Sequence, residues 1–312
     1  MIITVAPFPA IEYIYGVEGL VADKEQAARH VSLNILSKGI YGAQMMKVLQ
    51  EEPILLSSMG GFAGKYIKHY LDKSRVKSDI VWTDYETAQH IKIVDENLMK
   101  SYAIKADDTS PSNKESSLIT QKLRGHIKKV STLVLAGKVP DGINPEIYKD
   151  WVKEGKAHNV KAIVSTGQKE ILDAVMTEMP YVLMFTESQL VKLNLMSEQI
   201  EEIVQNVAPF LKQGVHYVCV YLKQRGALIL SKNKYCMVES LFQLVHKDNT
   251  AASGAFLGAL AVGINRKYEQ EKFAKICLAA SLAANDNVNH RICTKKDIDC
   301  RLKKMKVREL ER

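Results

Sequence analysis

The sequence predicts an α/β protein with a doubly wound, mainly parallel sheet and a small second sheet. Short β-rich runs alternate along the chain with stretches in which apolar residues recur every three or four positions. Strand and helix in alternation favour a parallel sheet, because each helix carries the chain back to the start of the next strand. Two segments, 11–36 and 86–106, break this alternation and predict a separate antiparallel sheet.

Seven runs have the length and β-branched content of strands. They are Ile2–Val5, Ile54–Ser57, Thr132–Ala136, Ala162–Val164, Tyr181–Met184, His216–Tyr221 and Ala227–Ser231. Nine stretches between or after them have helical periodicity. They are Gly42–Gln50, Gly64–Lys73, Leu118–Val130, Pro145–Lys156, Gln168–Met176, Glu187–Leu193, Ser197–Lys212, Ala251–Arg266 and Tyr268–Asn287.

The second sheet is predicted from alternating polar and apolar residues. His90–Val94 and Ser101–Ile104 both alternate, and the Asp95-Glu96-Asn97 turn separates them. The polar stretch Lys105–Glu115 has turn-forming residues and no periodicity, so it is predicted as a loop. We expect one domain over residues 1–312, with segments 11–36 and 86–106 forming a small β lid.

The charge of the chain is +8, with a pI of about 9.0, which raises the question of nucleic acid binding. The basic tail from Lys295 to Arg312 is interrupted by four acidic residues and contains no aromatic residue. A single-strand binder needs aromatic side chains on which bases stack. The composition therefore argues against nucleic acid as a partner.

Other classes of protein are disfavoured by simple counts. The longest mainly apolar stretch, Ala251–Ile264, has 14 residues and three glycines, whereas a membrane span needs about 20 residues. The N-terminus has no basic region ahead of its apolar residues, so no export signal is predicted. The five cysteines are scattered without a Cys-x-x-Cys pair, and the eight histidines lack metal-ligand spacing. A reduced, cytoplasmic protein without a membrane partner is expected.

Several motifs occur in a recognisable order. They are Pro9-Ala10-Ile11-Glu12-Tyr13, Lys38-Gly39-Ile40, Met59 to Ile67 with its Gly60-Gly61-Phe62 core, Glu86-Thr87, Gly137–Gly142, Gly226-Ala227 and the helix after Ala251. In this order the chain resembles the ribokinase-like sugar kinases of the PfkB family, in the branch of 1-phosphofructokinase and tagatose-6-phosphate kinase. The resemblance implies ATP and Mg²⁺ as cofactors, a site outside the carboxyl ends of the strands, and a homodimer through the β lid.

The catalytic segment departs from the family pattern. The resemblance implies a Gly-Ala-Gly-Asp motif whose aspartate is the base, but this chain has Thr250 or Ala252 at that position, depending on the alignment. Asp248 is the one carboxylate nearby and is the candidate catalytic residue, although a helix cap is an equally good role for it. Asn249 is a candidate nucleotide-binding residue.

The nucleotide side departs as well. The Asn-x-x-Glu motif implied by the resemblance becomes Thr186 to Gln189, so a negative charge is lost, and Glu187 is either a substitute metal ligand or a helix-dipole partner. The Ser-x-Gly turn becomes Tyr221-Leu222-Lys223. The remaining nucleotide-binding candidates are Thr186, Gln189, Lys223, Gly226 and Asn285.

On the sugar side, the resemblance implies an arginine that holds the substrate's phosphate, and this chain has Ala88 near that position. The substrate-binding candidates are Glu12, Lys38, Gly39, His90 and Lys138. The resemblance therefore implies an ATP-dependent kinase of a phosphorylated ketohexose, such as fructose 1-phosphate or tagatose 6-phosphate, and the replaced residues predict that its activity is weak or lost. The alternative is an inactive binding or regulatory protein on the same fold, holding a sugar phosphate or a nucleotide.

Overall fold

The computed structural model describes residues 1–105, 111–241, 249–285 and 293–311. At Asn249 it describes the main chain but not the side chain. Its strands are β1 (Ile2–Val5), β2 (Ala10–Val17), β3 (His30–Ile35), β4 (Ile54–Gly60), β5 (Lys77–Thr83), β6 (Ala88–Asp95), β7 (Lys100–Lys105), β8 (Thr132–Ala136), β9 (Lys161–Ser165), β10 (Val182–Thr186), β11 (Tyr217–Tyr221), β12 (Ala227–Ser231), β13 (Tyr235–Ser240) and β14 (Met305–Leu310). Its helices are α1 (Lys38–Val48), α2 (Gly61–Lys73), α3 (Asn113–His126), α4 (Ile147–Ala157), α5 (Lys169–Met176), α6 (Glu187–Lys192), α7 (Ile200–Val207), α8 (Pro209–Gln213), α9 (Asn249–Asn265), α10 (Gln270–Asn285) and α11 (Lys295–Leu302).

A ten-stranded sheet forms the body, in the order β14-β13-β12-β11-β10-β9-β8-β1-β4-β5. The strands from β11 to β5 in that order run parallel, and β12, β13 and β14 are antiparallel additions at one edge. Strands β1, β8, β10 and β12 are buried at every residue, as expected for strands covered by helices on both faces. The predicted fold class is confirmed.

Helices cover both faces of this sheet. On one face, α1, α9 and α10 enclose a core that includes Met46, Phe256 and Phe273. On the other, α3, α4, α5 and α7 pack over a core that includes Trp151 and Phe185. The stretch predicted as one helix, Ser197–Lys212, is two helices, because Pro209 begins α8 and cannot donate the backbone hydrogen bond that would continue α7.

Helices α1 and α9 touch through their backbones. A Cβ added at Gly258 would lie 2.3 Å from the carbonyl oxygen of Gly42, and one added at Gly254 would lie 2.8 Å from the carbonyl oxygen of Lys38. Such distances leave room for hydrogen alone, so glycine is required at both positions. The starts of the two helices are thereby held side by side at the carboxyl edge of the large sheet.

The second sheet has the order β3-β2-β6-β7 and draws its strands from the two segments predicted for it. Its outer pairs are antiparallel, but the central pair β2 and β6 is parallel, with Ala10 opposite Ala88. Both strands leave the large sheet at the same end, since β2 follows β1 and β6 follows β5. The carboxylate of Asp95 accepts hydrogen bonds from the backbone N–H groups of Gly19, Leu20, Asn97 and Leu98, which fixes the turns at the far end of this sheet.

Strands β5, β13 and β14 and helix α11 were not predicted. Strands β5 and β14 form the two edges of the large sheet, where charged residues interrupt the continuous apolar run that is typical of a central strand. Strand β13 lies next to β14 and has a short apolar run, Tyr235–Val238, followed by Glu239. The basic tail is in part the edge strand β14, paired in register with β13. Among the described residues, no helix combines the length and the hydropathy of a membrane span.

Candidate active site

Four polar residues form a row across the small sheet. Glu12 of β2 lies between Asn34 of β3 and His90 of β6, and His90 lies opposite Lys105 of β7. Residues directly opposite one another in a sheet share a face, so the two candidates Glu12 and His90 stand together, with Asn34 and Lys105 as neighbours that sequence reasoning missed. The row provides a carboxylate, an amide, an imidazole and an ammonium group on one surface.

Lys38 is the first residue of α1 and lies part-buried at the carboxyl edge of the large sheet. Its Nζ donates a 2.9 Å hydrogen bond to Oγ of Ser165, the last residue of β9. Burial, followed by the positive charges of Lys192 and Lys138, lowers the pKa of Lys38 to about 7. Packing explains why the neighbouring position 39 is glycine, because a Cβ there would lie 2.8 Å from the Cβ of Ala6.

The loop that carries Lys138 is fixed by a side-chain amide. Gln168 accepts from the backbone N–H of Val139 (2.8 Å) and donates to its carbonyl oxygen (2.9 Å). Lys138 is exposed overall. Its pKa is lowered first by partial loss of water around its ammonium group and then by the positive charges of Lys192 and Lys105. The positive charges of Lys138 and Lys192 thus act on Lys38, and those of Lys105 and Lys192 act on Lys138. We name these four residues, Lys38, Lys105, Lys138 and Lys192, the lysine cluster.

Helix α6 begins immediately after β10 and carries the residues that replace the Asn-x-x-Glu motif. Thr186 caps the helix, and Oε1 of Gln189 accepts the backbone N–H of Thr186 at 2.9 Å. The same oxygen lies 3.5 Å from Oγ of Ser165. A chain of hydrogen bonds thus links Lys38, Ser165, Gln189 and Thr186, and a neutral amide stands at the position where the resemblance implies a carboxylate.

Glu187 and Lys223 are paired with each other. Nζ of Lys223 lies 3.1 Å from Oε1 of Glu187, and Arg225 approaches the same carboxylate at 3.9 Å. Lys223 has φ +52°, the left-handed conformation that glycine adopts most easily, at the position where the resemblance implies glycine. The turn therefore keeps the backbone conformation that glycine would give it. The side chain of Lys223 neutralises Glu187, which was the candidate metal ligand.

The remaining candidates lie in or next to α9 and α10. Asp248 lies outside the described residues, as does the side chain of Asn249. Thr250 is part-buried in the first turn of α9, whereas the methyl group of Ala252 is in the core of the body. Asn285 ends α10 and is buried.

Gly226 closes the turn before β12. Its φ is +94°, and a Cβ there would lie 2.1 Å from the carbonyl oxygen of Val238. Its own carbonyl oxygen accepts the backbone N–H of Leu222 at 2.9 Å. These contacts require glycine for the packing of the turn, independently of any nucleotide.

These features together describe the class: a doubly wound sheet with a small second sheet beside its carboxyl edge, and a cation-rich site between them, as in a carbohydrate kinase. The model of the pfkB family of carbohydrate kinases matches residues 11–297, and the chain belongs to that family.

Individual relatives are distant but cover most of the chain. The 1-phosphofructokinase of Borreliella burgdorferi is 24% identical over 231 residues, 74% of each protein. A tagatose-6-phosphate kinase of Staphylococcus epidermidis is 24% identical over 281 residues, 88% of this chain and 89% of that protein. Phosphofructokinase-2 of Escherichia coli in its tetrameric inhibited form has a TM-score of 0.83 at 16% identity, with 97% of this chain and 98% of that chain covered.

Kinases of this family in general use ATP and a divalent metal, and the described residues fit such a metal poorly. They contain no group of three or more histidine, cysteine, aspartate or glutamate side chains that could hold one. Glu187 is neutralised by Lys223 and Arg225, and residue 189 offers a neutral amide. Mg²⁺ prefers carboxylate and water oxygens, so these side chains supply little of what it requires.

Proposed function

We propose that this chain binds a phosphorylated ketohexose, such as fructose 1-phosphate or tagatose 6-phosphate, and transfers a phosphoryl group from ATP to it slowly or not at all. The observation that carries the proposal is the hydrogen-bonded chain Lys38, Ser165, Gln189 at the carboxyl edge of the sheet. It offers a basic side chain to the ligand's phosphate, and it has a neutral amide at the position where the resemblance implies a carboxylate. A cytoplasmic location remains part of the proposal.

The sugar-phosphate side is supported by two neighbouring surfaces. The row Asn34, Glu12, His90 offers hydrogen-bond donors and acceptors suited to sugar hydroxyl groups. The lysine cluster next to it offers ammonium groups suited to phosphate oxygens. The two names among the relatives, 1-phosphofructokinase and tagatose-6-phosphate kinase, point to a ligand of the same chemistry.

The slow or absent transfer is supported by the missing acids. Neither Thr250 nor Ala252 can accept a proton from a hydroxyl group, and Glu187 is held in an ion pair. Loss of a positioned base lowers a rate by about 10² to 10⁴, and weak metal binding would lower it further. If transfer is absent altogether, the chain is a binding or regulatory protein that retains the kinase fold.

The test is ADP release with magnesium-ATP against fructose 1-phosphate, fructose 6-phosphate, tagatose 6-phosphate and unphosphorylated ketoses. We expect no turnover, or turnover orders of magnitude below that of a working kinase assayed alongside. Asp248→Asn is the matched control, because it would abolish a slow reaction that uses this carboxylate as base. Fast sugar-dependent turnover would refute the proposal.

We propose further that the chain forms a homodimer through the small sheet. One face of that sheet carries apolar residues from all four strands, and several are largely exposed: Val31 (57%), Ile104 (56%), Tyr102 (42%) and Ile91 (39%). Tyr13 and Leu33 on the same face pack against the body, so the exposed part begins where that contact ends. A second copy of the same face would cover it.

A further inference from the structure

Two cations lie against one carboxylate at the turn after β11. Nζ of Lys223 donates a 3.1 Å hydrogen bond to Oε1 of Glu187, and the guanidinium group of Arg225 lies 3.9 Å from Oε2 of the same carboxylate. All three side chains are about two-thirds or more buried. These three side chains therefore carry one positive charge in excess, partly withdrawn from water, at the carboxyl edge of the large sheet.

Both cations keep donors for a second anion. An ammonium group has three N–H donors and a guanidinium group has five. Among the residues that the structure describes, Lys223 donates to Glu187, and Arg225 donates to the carbonyl oxygen of Glu198 at 2.9 Å. An anion with several oxygen atoms can therefore accept hydrogen bonds from both groups while these contacts stay in place.

The two cations lie apart from the polar row of the small sheet. In the large sheet β8, β9 and β10 separate β11 from β1, and strands about 4.8 Å apart place β11 about 19 Å from β1. The polar row belongs to β2 and its neighbours, and β2 follows β1. Hydrogen bonds from Lys38 through Ser165 to Gln189 of α6 connect the two sides. Lys38 and Lys223 thus mark two separate places for anions at the two ends of this connection.

The donor set at the second place differs from that of a metal site. A divalent cation on Glu187 would meet two positive charges that are already there, whereas Mg²⁺ prefers carboxylate and water oxygens without such neighbours. In phosphoryl transfer the metal ordinarily offsets the charge of the nucleotide's phosphates. Ammonium and guanidinium groups can supply that positive charge themselves, through charge-assisted hydrogen bonds to phosphate oxygens.

We infer that Lys223 and Arg225 take the place of the divalent metal and bind the phosphate groups of a nucleoside triphosphate in its metal-free form. The inference rests on the proposed function in taking ATP as the second ligand, and it goes further in reversing the usual effect of the metal. Mg²⁺ lowers the negative charge of the nucleotide, so it weakens the attraction to the two cations. The carboxylate of Glu187 repels the phosphates, so its charge opposes nucleotide binding.

The experiment is calorimetric titration of the full chain with AMP-PNP, an ATP analogue that is not hydrolysed, once in EDTA and once in Mg²⁺. We expect the Kd to be about fivefold lower in EDTA, the effect of roughly one unit charge at 4 Å in water. Lys223→Asn and Arg225→Gln should each weaken binding in EDTA about tenfold, because each removes a charge-assisted hydrogen bond. Asparagine is chosen at position 223 because it adopts positive φ more easily than most residues.

Lys68→Met is the matched control. Lys68 is also ion-paired, with Asp72 on α2, so this substitution breaks an ion pair of the same kind away from β11. Its Kd for AMP-PNP should equal that of the unaltered chain in both buffers. Circular dichroism of each variant excludes misfolding as the cause of a loss.

Glu187→Gln distinguishes the two roles of this carboxylate by the sign of its effect. A metal ligand lost at this position would weaken AMP-PNP binding in Mg²⁺. We expect instead that binding in EDTA becomes about fivefold tighter, because a repelling charge is removed and Lys223 is released from its ion pair. Inorganic tripolyphosphate, titrated alongside, should bind more weakly than AMP-PNP because it lacks the nucleoside.

Five results would each overturn the inference. They are no binding of AMP-PNP in EDTA, a Kd in EDTA that is not lower than in Mg²⁺, binding unchanged in both cation variants, weaker binding in Glu187→Gln, and tripolyphosphate bound as tightly as AMP-PNP. The titration contains no sugar and follows no turnover, so it succeeds or fails independently of the ADP-release assay. Fast turnover in that assay would refute the slow transfer proposed above, while the titration alone decides how the nucleotide is held.

Discussion

The ammonium group of Lys223 lies 3.1 Å from a carboxylate oxygen of Glu187, and this pair joins the turn after β11 to the first turn of α6. Both side chains are about two-thirds or more buried. A carboxylate so placed is already neutralised, and the lysine is already engaged. The pair therefore explains why two residues that each look suited to nucleotide or metal contacts serve first to hold two turns together.

Replacing Lys223 should separate the backbone role of this position from its charge. In Lys223→Gly we expect the free energy of unfolding to change by less than about 1 kcal/mol, because relief of the left-handed conformation, worth about 1 kcal/mol, offsets the lost ion pair. In Lys223→Val we expect a loss of about 1 to 3 kcal/mol, since a β-branched residue adopts positive φ at a cost. Urea denaturation measures both. Equal effects of the two substitutions would show that φ +52° is not a constraint.

Restoring an acid at position 189 should strengthen the helix and weaken the ligand site. In Gln189→Glu the carboxylate can still accept the N–H of Thr186, and its charge at the N-terminus of α6 should add about 0.3 to 1 kcal/mol to the free energy of unfolding. The same charge should weaken binding of a phosphorylated ketohexose, because it would compete with the ligand's phosphate for Lys38, to which residue 189 is linked through Ser165. Urea denaturation and calorimetry measure the two effects. Gln189→Met, which removes the acceptor, should destabilise instead, and a gain in stability there would contradict this account.

The low pKa of Lys38 predicts a pH-dependent stability. In the folded chain Lys38 loses its proton near pH 7, whereas its usual pKa is 10.5. Between these values the unfolded chain binds the additional proton, so the free energy of unfolding should rise with pH in that window. The charged groups that face Lys38 are Lys138 from the loop after β8 and Lys192 from α6, while Ser165 and Gln189 are neutral.

This pH effect can be isolated by comparison with a variant. In Lys38→Met the rise attributable to Lys38 should vanish, so the difference in free energy of unfolding between the unaltered chain and the variant should grow with pH from about 7 to 10. Lys212→Met, with an exposed lysine on α8, should show no such difference. A difference curve that is flat for Lys38→Met would mean that the folded and unfolded chains hold this proton equally.

The apolar face of the small sheet predicts a dimer that one charge can break. Ile104→Glu should give a monomer by light scattering after size exclusion, because it places a carboxylate in the centre of the proposed interface, with folding unaffected at a side chain that is 56% exposed. Met179→Glu is the control, since Met179 is also exposed but lies between α5 and β10, away from that sheet. A monomeric unaltered chain would contradict the proposed dimer outright.

The contact between α1 and α9 predicts opposite effects of the same substitution at two glycines. Gly258→Ala should lower the free energy of unfolding by about 1 to 3 kcal/mol, because its Cβ would force the two helix backbones apart. Gly125→Ala in α3 should raise it by about 0.5 to 1 kcal/mol, because that position is open and alanine is the better helix former. Thermal or urea denaturation checks the signs. A harmless Gly258→Ala would mean that the helices are not in backbone contact.

The central strands and most helices were predictable because their residues are buried on a regular period. Thr132–Ala136 and Ala227–Ser231 have the predicted bounds without change. Strand β14 was not predictable, because Lys306, Arg308 and Glu309 give it a polar sequence and it is a strand through its pairing with β13. That pairing joins positions about 70 residues apart, and no local pattern contains it.

The site was predictable one residue at a time but not as an assembly. Lys38, Lys138, Glu12 and His90 were found through motifs, whereas Lys105, Lys192 and Ser165 were not, since each of these is ordinary in its local sequence. Their importance comes from the fold, which brings Ser165 at the end of β9 within 2.9 Å of Lys38 and places Lys105 and Lys192 where their charges act on Lys138. One signal was available: Ser165 directly follows the predicted strand Ala162–Val164, at the edge where side chains of neighbouring parallel strands meet. The pairing of Glu187 with Lys223 depends on the fold alone.

The backbone contact between Gly42 and Gly258 has a practical consequence for redesign. Since α1 begins at Lys38 and α9 begins beside the segment that would carry a base, the spacing between these two ends is set by main-chain atoms and not by side chains. A protein engineer could therefore randomise positions 186, 189 and 250 together while the scaffold keeps its dimensions. Selecting active variants from such a library would show how many side chains must change to turn a binding protein into a catalyst while the backbone stays the same.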